Sequence, residues 1–150
     1  MSKNIILIGG FIEIIELCEE NNISIVGIVD NQKIKEYMSI PIIGTEDNIL
    51  EWVDKFRQFE AIISPDSPVI RKKLVEFYLG YDFRFSKIIS NLSRISKSAE
   101  VCEGSVIQSD VNISSESEIG KFVKINSNAN VMHNVNIGNF STIAPNAVLL

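Results

Sequence analysis

The sequence predicts an α/β N-terminal domain followed by a parallel β-helix of about three coils. Two observations carry this prediction. Short apolar runs alternate with amphipathic segments in the first half of the chain, and a six-residue repeat fills the second half. With 150 residues, 45% of them hydrophobic, and a net charge of -5, the chain has the composition of one or two small globular domains. We place the α/β domain at residues 1–85 and the repeat at residues 86–150.

The chain begins with a predicted strand, helix and strand. Asn4–Ile8 is a short apolar run stopped by Gly9-Gly10, which indicates a buried strand and its turn. Residues 12–20 place apolar side chains at helical spacing among four glutamates, which predicts an amphipathic helix. Ile23–Val29 is the second strand. A unit of this length has parallel strands, and it places Asp30 about 20 residues after the glycines.

The remaining elements of the α/β domain follow from the same signals. They are a strand over 40–44, a helix capped by Thr45, a strand over 61–64, a helix from Pro68 to Gly80 and a strand over 83–89. Threonine suits an N-cap because its hydroxyl can accept a hydrogen bond from the first helical turn. Proline suits the first helical position, and glycine commonly ends a helix.

The second half of the chain repeats every six residues. Each sixth residue from Ile95 to Leu149 is a large aliphatic, and a Ser, Ala or Val stands four positions after each one up to residue 143. A period of six fits neither a helix nor a hairpin strand. In a parallel β-helix three hexads close one coil, so the aliphatic side chains point inward and stack on residues eighteen positions away. We expect Gly120 and Gly138 at the strained turns between strands.

Composition excludes several classes of function. The acidic balance and the absence of a basic stripe argue against nucleic acid as a partner. No apolar run reaches spanning length and no signal peptide is visible, so we expect no membrane partner and a cytoplasmic location. Cys18 and Cys102 have no Cys or His companions at metal-ligand spacing, so we expect structural thiols and no metal site.

Seven short segments carry a resemblance to a known family. They are Ile8-Gly9-Gly10, Val26 to Asn31, Pro41 to Gly44, Arg71, Val131 to Asn134, Ile137-Gly138-Asn139 and Ile143 to Ala147. With them, the whole chain resembles the hexapeptide-repeat nucleotide-sugar acetyltransferases of bacterial glycan synthesis, which include sialic acid O-acetyltransferases and UDP-4-amino-sugar N-acetyltransferases. The resemblance implies a Rossmann-like N-terminal domain, a left-handed β-helix and a homotrimer.

The resemblance also implies a catalytic site on the β-helix. His133 matches the family's general base, which takes a proton from a sugar amine or hydroxyl before attack on the thioester of acetyl-CoA. Imidazole suits this role because it accepts a proton near neutral pH. Asn134 stands where the family usually has Asp or Glu, and Thr142 stands where it has a second His. We expect Gly138 and Thr142 to contact acetyl-CoA.

Substrate contacts follow from the same resemblance. The residues implied are Gly9, Gly10, Asp30, Asn31, Ser64 and Asn126. In the family the loop after the first strand approaches the phosphates of the nucleotide sugar. Here Phe11 and Ile12 make that loop bulkier, and no GxGxxG motif is present, so a dinucleotide role is not favoured. The expected substrate is a nucleotide sugar, such as a UDP-amino sugar, or a sialic-acid-like sugar.

Two alternatives stay open at this point. The chain could be a nucleotide-sugar-binding or assembly protein without efficient catalysis, or a transferase that uses another acyl donor or acceptor. The repeat is still in register at Leu149, so we expect a truncated β-helix. We also expect the 150-residue chain to transfer acetyl groups poorly.

Overall fold

The computed structural model describes residues 2–32 and 34–150. The chain divides into two units, Met1–Pro65 with Lys73–Ser86 and Asp66–Lys72 with Lys87–Leu150. Residues 66–72 therefore group with the second unit, although they precede the boundary that the sequence predicts. No helix in the described part of the chain combines the length and the apolar character needed to cross a lipid bilayer.

The first unit is an α/β structure. Its elements, in chain order, are β1 (Lys3–Ile8), α1 (Ile12–Glu20), β2 (Ile23–Val29), β3 (Glu36–Tyr37), β4 (Ile40–Gly44), α2 (Ile49–Phe56), β5 (Glu60–Ile63) and α3 (Pro68–Leu79), whose first residues belong to the second unit. The strands pair in the order β3-β4-β2-β1-β5, and only β3 is antiparallel to its neighbour. The interior strand β1, which lies between β2 and β5, buries Ile5–Ile8 almost completely, as a parallel strand covered on both faces requires.

Two elements of the first unit differ from the sequence prediction. Helix α2 begins at Ile49 with Asn48 as its N-cap, so the prediction of Thr45 as the cap is wrong. The reason is that the Thr45 N–H donates to Asn48 Oδ1 at 2.7 Å, which uses Thr45 in the turn before the helix. The strand expected over 83–89 forms only at its last two residues, Ile88–Ile89. Phe85 forms one isolated parallel bridge with Ala61, and residues 88–89 pair within the second unit.

The second unit is a solenoid of short strands. Its eleven strands, all within the described residues 87–150, are β6 (Ile88–Ile89), β7 (Arg94–Ile95), β8 (Glu100–Val101), β9 (Val106–Ile107), β10 (Asn112–Ile113), β11 (Glu118–Ile119), β12 (Lys124–Ile125), β13 (Asn130–Val131), β14 (Asn136–Ile137), β15 (Thr142–Ile143) and β16 (Val148–Leu149). They form three parallel sheets, β6-β9-β12-β15, β7-β10-β13-β16 and β8-β11-β14. Each strand pairs with the strand eighteen residues away, as in Ile113 with Val131. This arrangement confirms the parallel β-helix and fits the left-handed form.

The solenoid interior contains the side chains that the repeat predicts. The buried aliphatic residues from Val101 to Ile137 form one hydrophobic cluster with Val111, Val123 and Ala129 of the small-residue column. Serine is tolerated in this column because its hydroxyl bridges successive coils. Ser105 Oγ donates to the Gly120 carbonyl at 2.8 Å and accepts from the Val123 N–H at 3.0 Å. The buried hydroxyl is therefore satisfied.

A left-handed backbone conformation recurs at the solenoid corners from Gly104 onward. The residues with positive φ there are Gly104, Asp110, Glu116, Phe122, Asn128, Asn134, Phe140 and Asn146. The prediction that Gly120 and Gly138 occupy the strained positions is therefore wrong, because the strained residue lies three positions after the aliphatic and not directly after it. Gly120 is instead required by close packing, since a Cβ there would lie 2.9 Å from the Ile137 carbonyl oxygen. Gly138 has open space around it.

One corner stacks a glycine and two phenylalanines in successive coils. Phe122 lies over Gly104, and the rings of Phe122 and Phe140 stack with centroids 5.3 Å apart and planes 9° apart. A bulky side chain in the left-handed conformation is strained, so both rings depend on their surroundings to hold them there.

Gly104→Ala should destabilise the solenoid, whereas Gly138→Ala should not. At Gly104 φ is +71° and a Cβ would lie 2.2 Å from the Phe122 ring, so we expect a loss of about 2 kcal/mol or more in the free energy of unfolding. At Gly138 nothing lies within 4 Å of the added carbon, and the change should stay within about 0.5 kcal/mol. Urea denaturation measures both. Equal midpoints for the two variants would contradict this account of the corner.

Candidate functional site

The carboxyl edge of the first unit's sheet brings four predicted substrate residues together. The Gly9 N–H donates to the Val29 carbonyl at 2.9 Å, and the Ser64 N–H donates to the Ile8 carbonyl at 3.0 Å. The strand order reverses between β1 and β5, and ligands of open α/β sheets bind at such a reversal. Gly9, Gly10, Asp30 and Ser64 therefore lie at a suitable edge, while their contact with a substrate stays a prediction.

Asp30 is engaged by backbone groups at this edge. Its Oδ2 accepts from the Gly10 N–H at 2.8 Å, and its Oδ1 accepts from the Gln32 N–H at 2.8 Å. The neighbouring Asn31 is exposed. The carboxylate thus joins the loop after β1 to the residues that follow β2.

His133 lies at a solenoid corner between β13 and β14, and its side chain is exposed. It is the only histidine of the chain. The next residue, Asn134, has φ of 61°, and its N–H donates to the Ser115 carbonyl of the preceding coil at 3.0 Å. This bond fixes the corner backbone that carries the imidazole. The general-base role itself stays a prediction.

Asn134 has a structural reason to be asparagine. Among residues other than glycine, asparagine and aspartate adopt the left-handed conformation most readily. The same corner position carries Asp110, Asn128 and Asn146 elsewhere in the solenoid. The sequence contains this signal as Asn, Asp or Gly recurring at multiples of six residues.

Two other predicted site residues lie on a different part of the solenoid from His133. Thr142 belongs to the sheet that contains Lys124, whereas His133 follows a strand of another sheet. The Thr142 hydroxyl donates to the Asp66 carbonyl at 2.6 Å and accepts from Arg71 Nη2 at 3.0 Å. Asn126 donates through Nδ2 to the Ile143 carbonyl at 2.8 Å. Both side chains therefore bond to neighbouring backbone or side-chain groups, and their contact with a substrate or with acetyl-CoA stays a prediction.

A buried cationic cluster occupies the Thr142 sheet, and the sequence prediction missed it. Arg71 is 1% exposed and donates through Nε to the Phe122 carbonyl at 2.8 Å and through Nη2 to the Phe140 carbonyl at 2.7 Å. Lys124 is also 1% exposed, and its Nζ lies 2.6 Å from Asp66 Oδ1. Burial lowers the pKa of Arg71, while the Asp66 carboxylate opposes that shift. We call Asp66, Arg71 and Lys124 the cationic clamp.

The geometry agrees with what is found in known proteins. Residues 116–150 match the family model described as bacterial transferase hexapeptide (six repeats). This segment is a hexapeptide repeat. A comparison with the curated proteins finds no significant match.

Solved structures have the same fold over all or nearly all of this chain. The acetyltransferase domain of PglB from Neisseria gonorrhoeae FA1090, in complex with acetyl coenzyme A, is 22% identical with a TM-score of 0.88, and the match covers 100% of this chain and 74% of that one. A mutant of GDP-perosamine N-acetyl transferase from Caulobacter crescentus, in complex with CoA and GDP-perosamine, is 20% identical with a TM-score of 0.86, and the match covers 99% and 71% of the two chains. WeeI from Acinetobacter baumannii AYE is 24% identical with a TM-score of 0.83, covering 97% and 72%. At these identities the likeness shows the fold.

Gly138, predicted to contact acetyl-CoA, lies open on the solenoid surface, and that contact stays a prediction. This residue is exposed and nothing lies within 4 Å of the position of a Cβ, so a ligand could approach its backbone. In the described residues, no three His, Cys, Asp or Glu side chains group as metal ligands.

Arg71→Lys should destabilise the protein strongly. Lysine cannot reach the several carbonyl groups that the guanidinium satisfies, so buried acceptors would lose their partners at a cost of about 2 to 4 kcal/mol. Lys72→Met, which removes an exposed charge from the same helix, should change stability by no more than about 0.5 kcal/mol. Thermal and urea unfolding of both variants test this. An unfolding midpoint equal to that of the wild type for the Arg71 variant would show that the cationic clamp contributes little to stability.

Proposed function

We propose that this chain is an acetyltransferase that uses acetyl-CoA to acetylate an amino or hydroxyl group of a sugar, with His133 as the general base. The observation that carries the proposal is the position of the only histidine, exposed at a corner inside the segment that matches the transferase hexapeptide repeats. The solved structures of similar fold support it, since they include acetyltransferases with acetyl coenzyme A or CoA bound.

His133 would act on the proton of the acceptor. The neutral imidazole accepts that proton as the acceptor nitrogen or oxygen bonds to the carbonyl carbon of the thioester. The carbon–sulfur bond then breaks, and the coenzyme A thiolate leaves and takes up a proton. The acceptor gains the acetyl group and loses one proton, which balances the step.

Asn134 would help to orient the imidazole. Its side-chain oxygen can accept a hydrogen bond from a ring N–H, but it supplies no charge to stabilise the imidazolium. We therefore propose a positioning role for Asn134, in addition to the backbone role that its positive φ indicates.

The donor would approach the solenoid surface near Gly138, whose backbone is open. The Thr142 hydroxyl is already bonded to Asp66 and Arg71, so we do not assign it to the donor. We also propose a homotrimer. The family resemblance implies the number of subunits, and association is favoured because a prism of a few coils encloses little apolar interior of its own.

A binding or assembly protein on the same fold is the second candidate. Two features favour it. Position 134 has asparagine, which has no carboxylate to stabilise an imidazolium, and the Thr142 hydroxyl is already bonded to Asp66 of the cationic clamp. Catalysis that depends on His133 separates the two candidates.

His133→Ala should abolish acetyl transfer and leave the fold unchanged. Loss of a general base costs about 10²-fold to 10⁴-fold in rate, whereas an exposed side chain contributes little packing. Release of free thiol from acetyl-CoA, measured with a panel of amino sugars and UDP-amino sugars, reports the rate. Lys97→Ala is the matched control, because Lys97 is exposed at the equivalent corner two coils earlier. Equal activity in the two variants would move the chemistry away from His133.

Substitutions at Asn134 separate its two roles. Asn134→Asp should raise the rate, because a carboxylate stabilises the imidazolium. Asn134→Gly should keep the melting temperature, since glycine accepts a φ of 61°, but it should lower the rate through loss of the amide. The same thiol assay and thermal melts measure both effects. Unchanged rates in both variants would leave Asn134 with a backbone role alone.

A further inference from the structure

We infer that Phe11, Glu13 and Asp30 are specificity-determining residues that keep a pyrophosphate away from the loop between β1 and α1. The acetyl acceptor is then a sugar that carries no nucleoside diphosphate. The identity of the acceptor rests on the proposed acetyltransferase function. The exclusion of phosphate rests on the geometry of the loop alone.

The first observation concerns the hydrogen-bond donor of the loop. Loops of this kind bind a pyrophosphate by presenting backbone N–H groups at the beginning of the following helix. Here the Gly10 N–H donates to Asp30 Oδ2 at 2.8 Å, and Gly10 is buried. A phosphate would have to displace a carboxylate that is also bonded to the Gln32 N–H. The loop therefore already holds an anion that belongs to the chain.

The second observation concerns the space above the loop. Gly9 has φ of +88°, a conformation that glycine adopts readily because it has no Cβ. Without a side chain of its own, its backbone is accessible unless a neighbouring group covers it. A Cβ at Gly9 would lie 3.1 Å from Cε2 of Phe11, so the aromatic ring covers that side of the glycine. Close approach of a phosphate to the Gly9 backbone is therefore obstructed on that side.

The third observation concerns charge at the start of α1. The first turn contains Glu13, and the segment Ile12–Glu20 contains four glutamates and neither lysine nor arginine. A helix N-terminus favours an anion, but here a side chain of the helix supplies it. The negative charge of a nucleoside diphosphate would meet Glu13 and Asp30 with no basic residue on this helix to offset them.

The accessible surface of the loop suits a neutral ligand. Phe11 and Ile12 are each 41% exposed, and they present an apolar patch beside the carboxyl edge of the sheet. The C–H face of a sugar ring packs on such a surface, whereas a phosphate loses hydration against apolar side chains. A sugar without a nucleotide is therefore the acceptor that the loop fits.

Calorimetric titration of the unchanged protein with UDP and with GDP tests the exclusion directly. We expect no saturable binding up to millimolar concentration. In the thiol-release assay, a free amino sugar should be acetylated with kcat/KM at least about tenfold above that of the same sugar linked to UDP, a factor worth 1.4 kcal/mol. Saturable micromolar binding of either nucleotide, or preferred turnover of the linked sugar, would overturn the inference.

A charge-matched pair of variants shows whether the named residues cause the exclusion. The double variant Phe11→Gly with Glu13→Lys opens the loop and adds a cation at the first turn, so it should gain measurable UDP binding. Phe11→Gly with Glu16→Lys opens the loop identically and makes the same charge change in the second turn, and it should bind UDP more weakly. Equal UDP affinity of the two double variants would show that Glu13 does not contribute to the exclusion of the nucleotide. If no sugar of either kind releases thiol, the proposed function fails, and the UDP titrations still decide the loop inference.

Discussion

Backbone hydrogen bonds between residues about eighteen positions apart hold the second unit together. The Arg94 N–H donates to Val111, the Asn112 N–H to Ala129 and the Asn130 N–H to Ala147, each at 2.8 to 3.0 Å. This fixed register aligns each strand with the strand of the coil before it. An inward aliphatic, a corner residue with positive φ and a small inward residue therefore recur at constant spacing, and His133 takes its exposed corner position from the same constraint.

The register also explains which parts of the solenoid the sequence could predict. The inward column is set by burial, which acts on residue type at every sixth position, so its signal is plain. The corner position is set by backbone strain, and asparagine, aspartate and glycine satisfy it at several coils, yet Glu116, Phe122 and Phe140 do not fit that preference. The carbonyls of the two phenylalanines accept hydrogen bonds from Arg71, which lies 51 and 69 residues away in the chain. No local pattern contains a contact of that range.

The candidate site was predictable to a similar degree. The exposed corner of His133 follows from the parity of the repeat, and the fold shared with known acetyltransferases agrees with the expected architecture. The partners of Thr142 and Asp30 did not follow from the sequence, because each is bonded to a backbone group that only the folded chain brings near. Thr142 and Asp30, which the resemblance implies as ligand contacts, therefore also stabilise the local structure. The bond of Asp30 to the Gly10 N–H favours a sugar without a phosphate as the ligand of this loop.

His133 can serve acetyl transfer only if the donor thioester lies close to its imidazole ring. A crystal structure of the protein with CoA decides this directly. A general base must reach the acceptor proton while the acceptor attacks the thioester, so the CoA sulfur should lie about 6 Å or less from the His133 ring. A CoA sulfur on the Thr142 sheet, away from His133, would contradict the central claim that this histidine serves acetyl transfer.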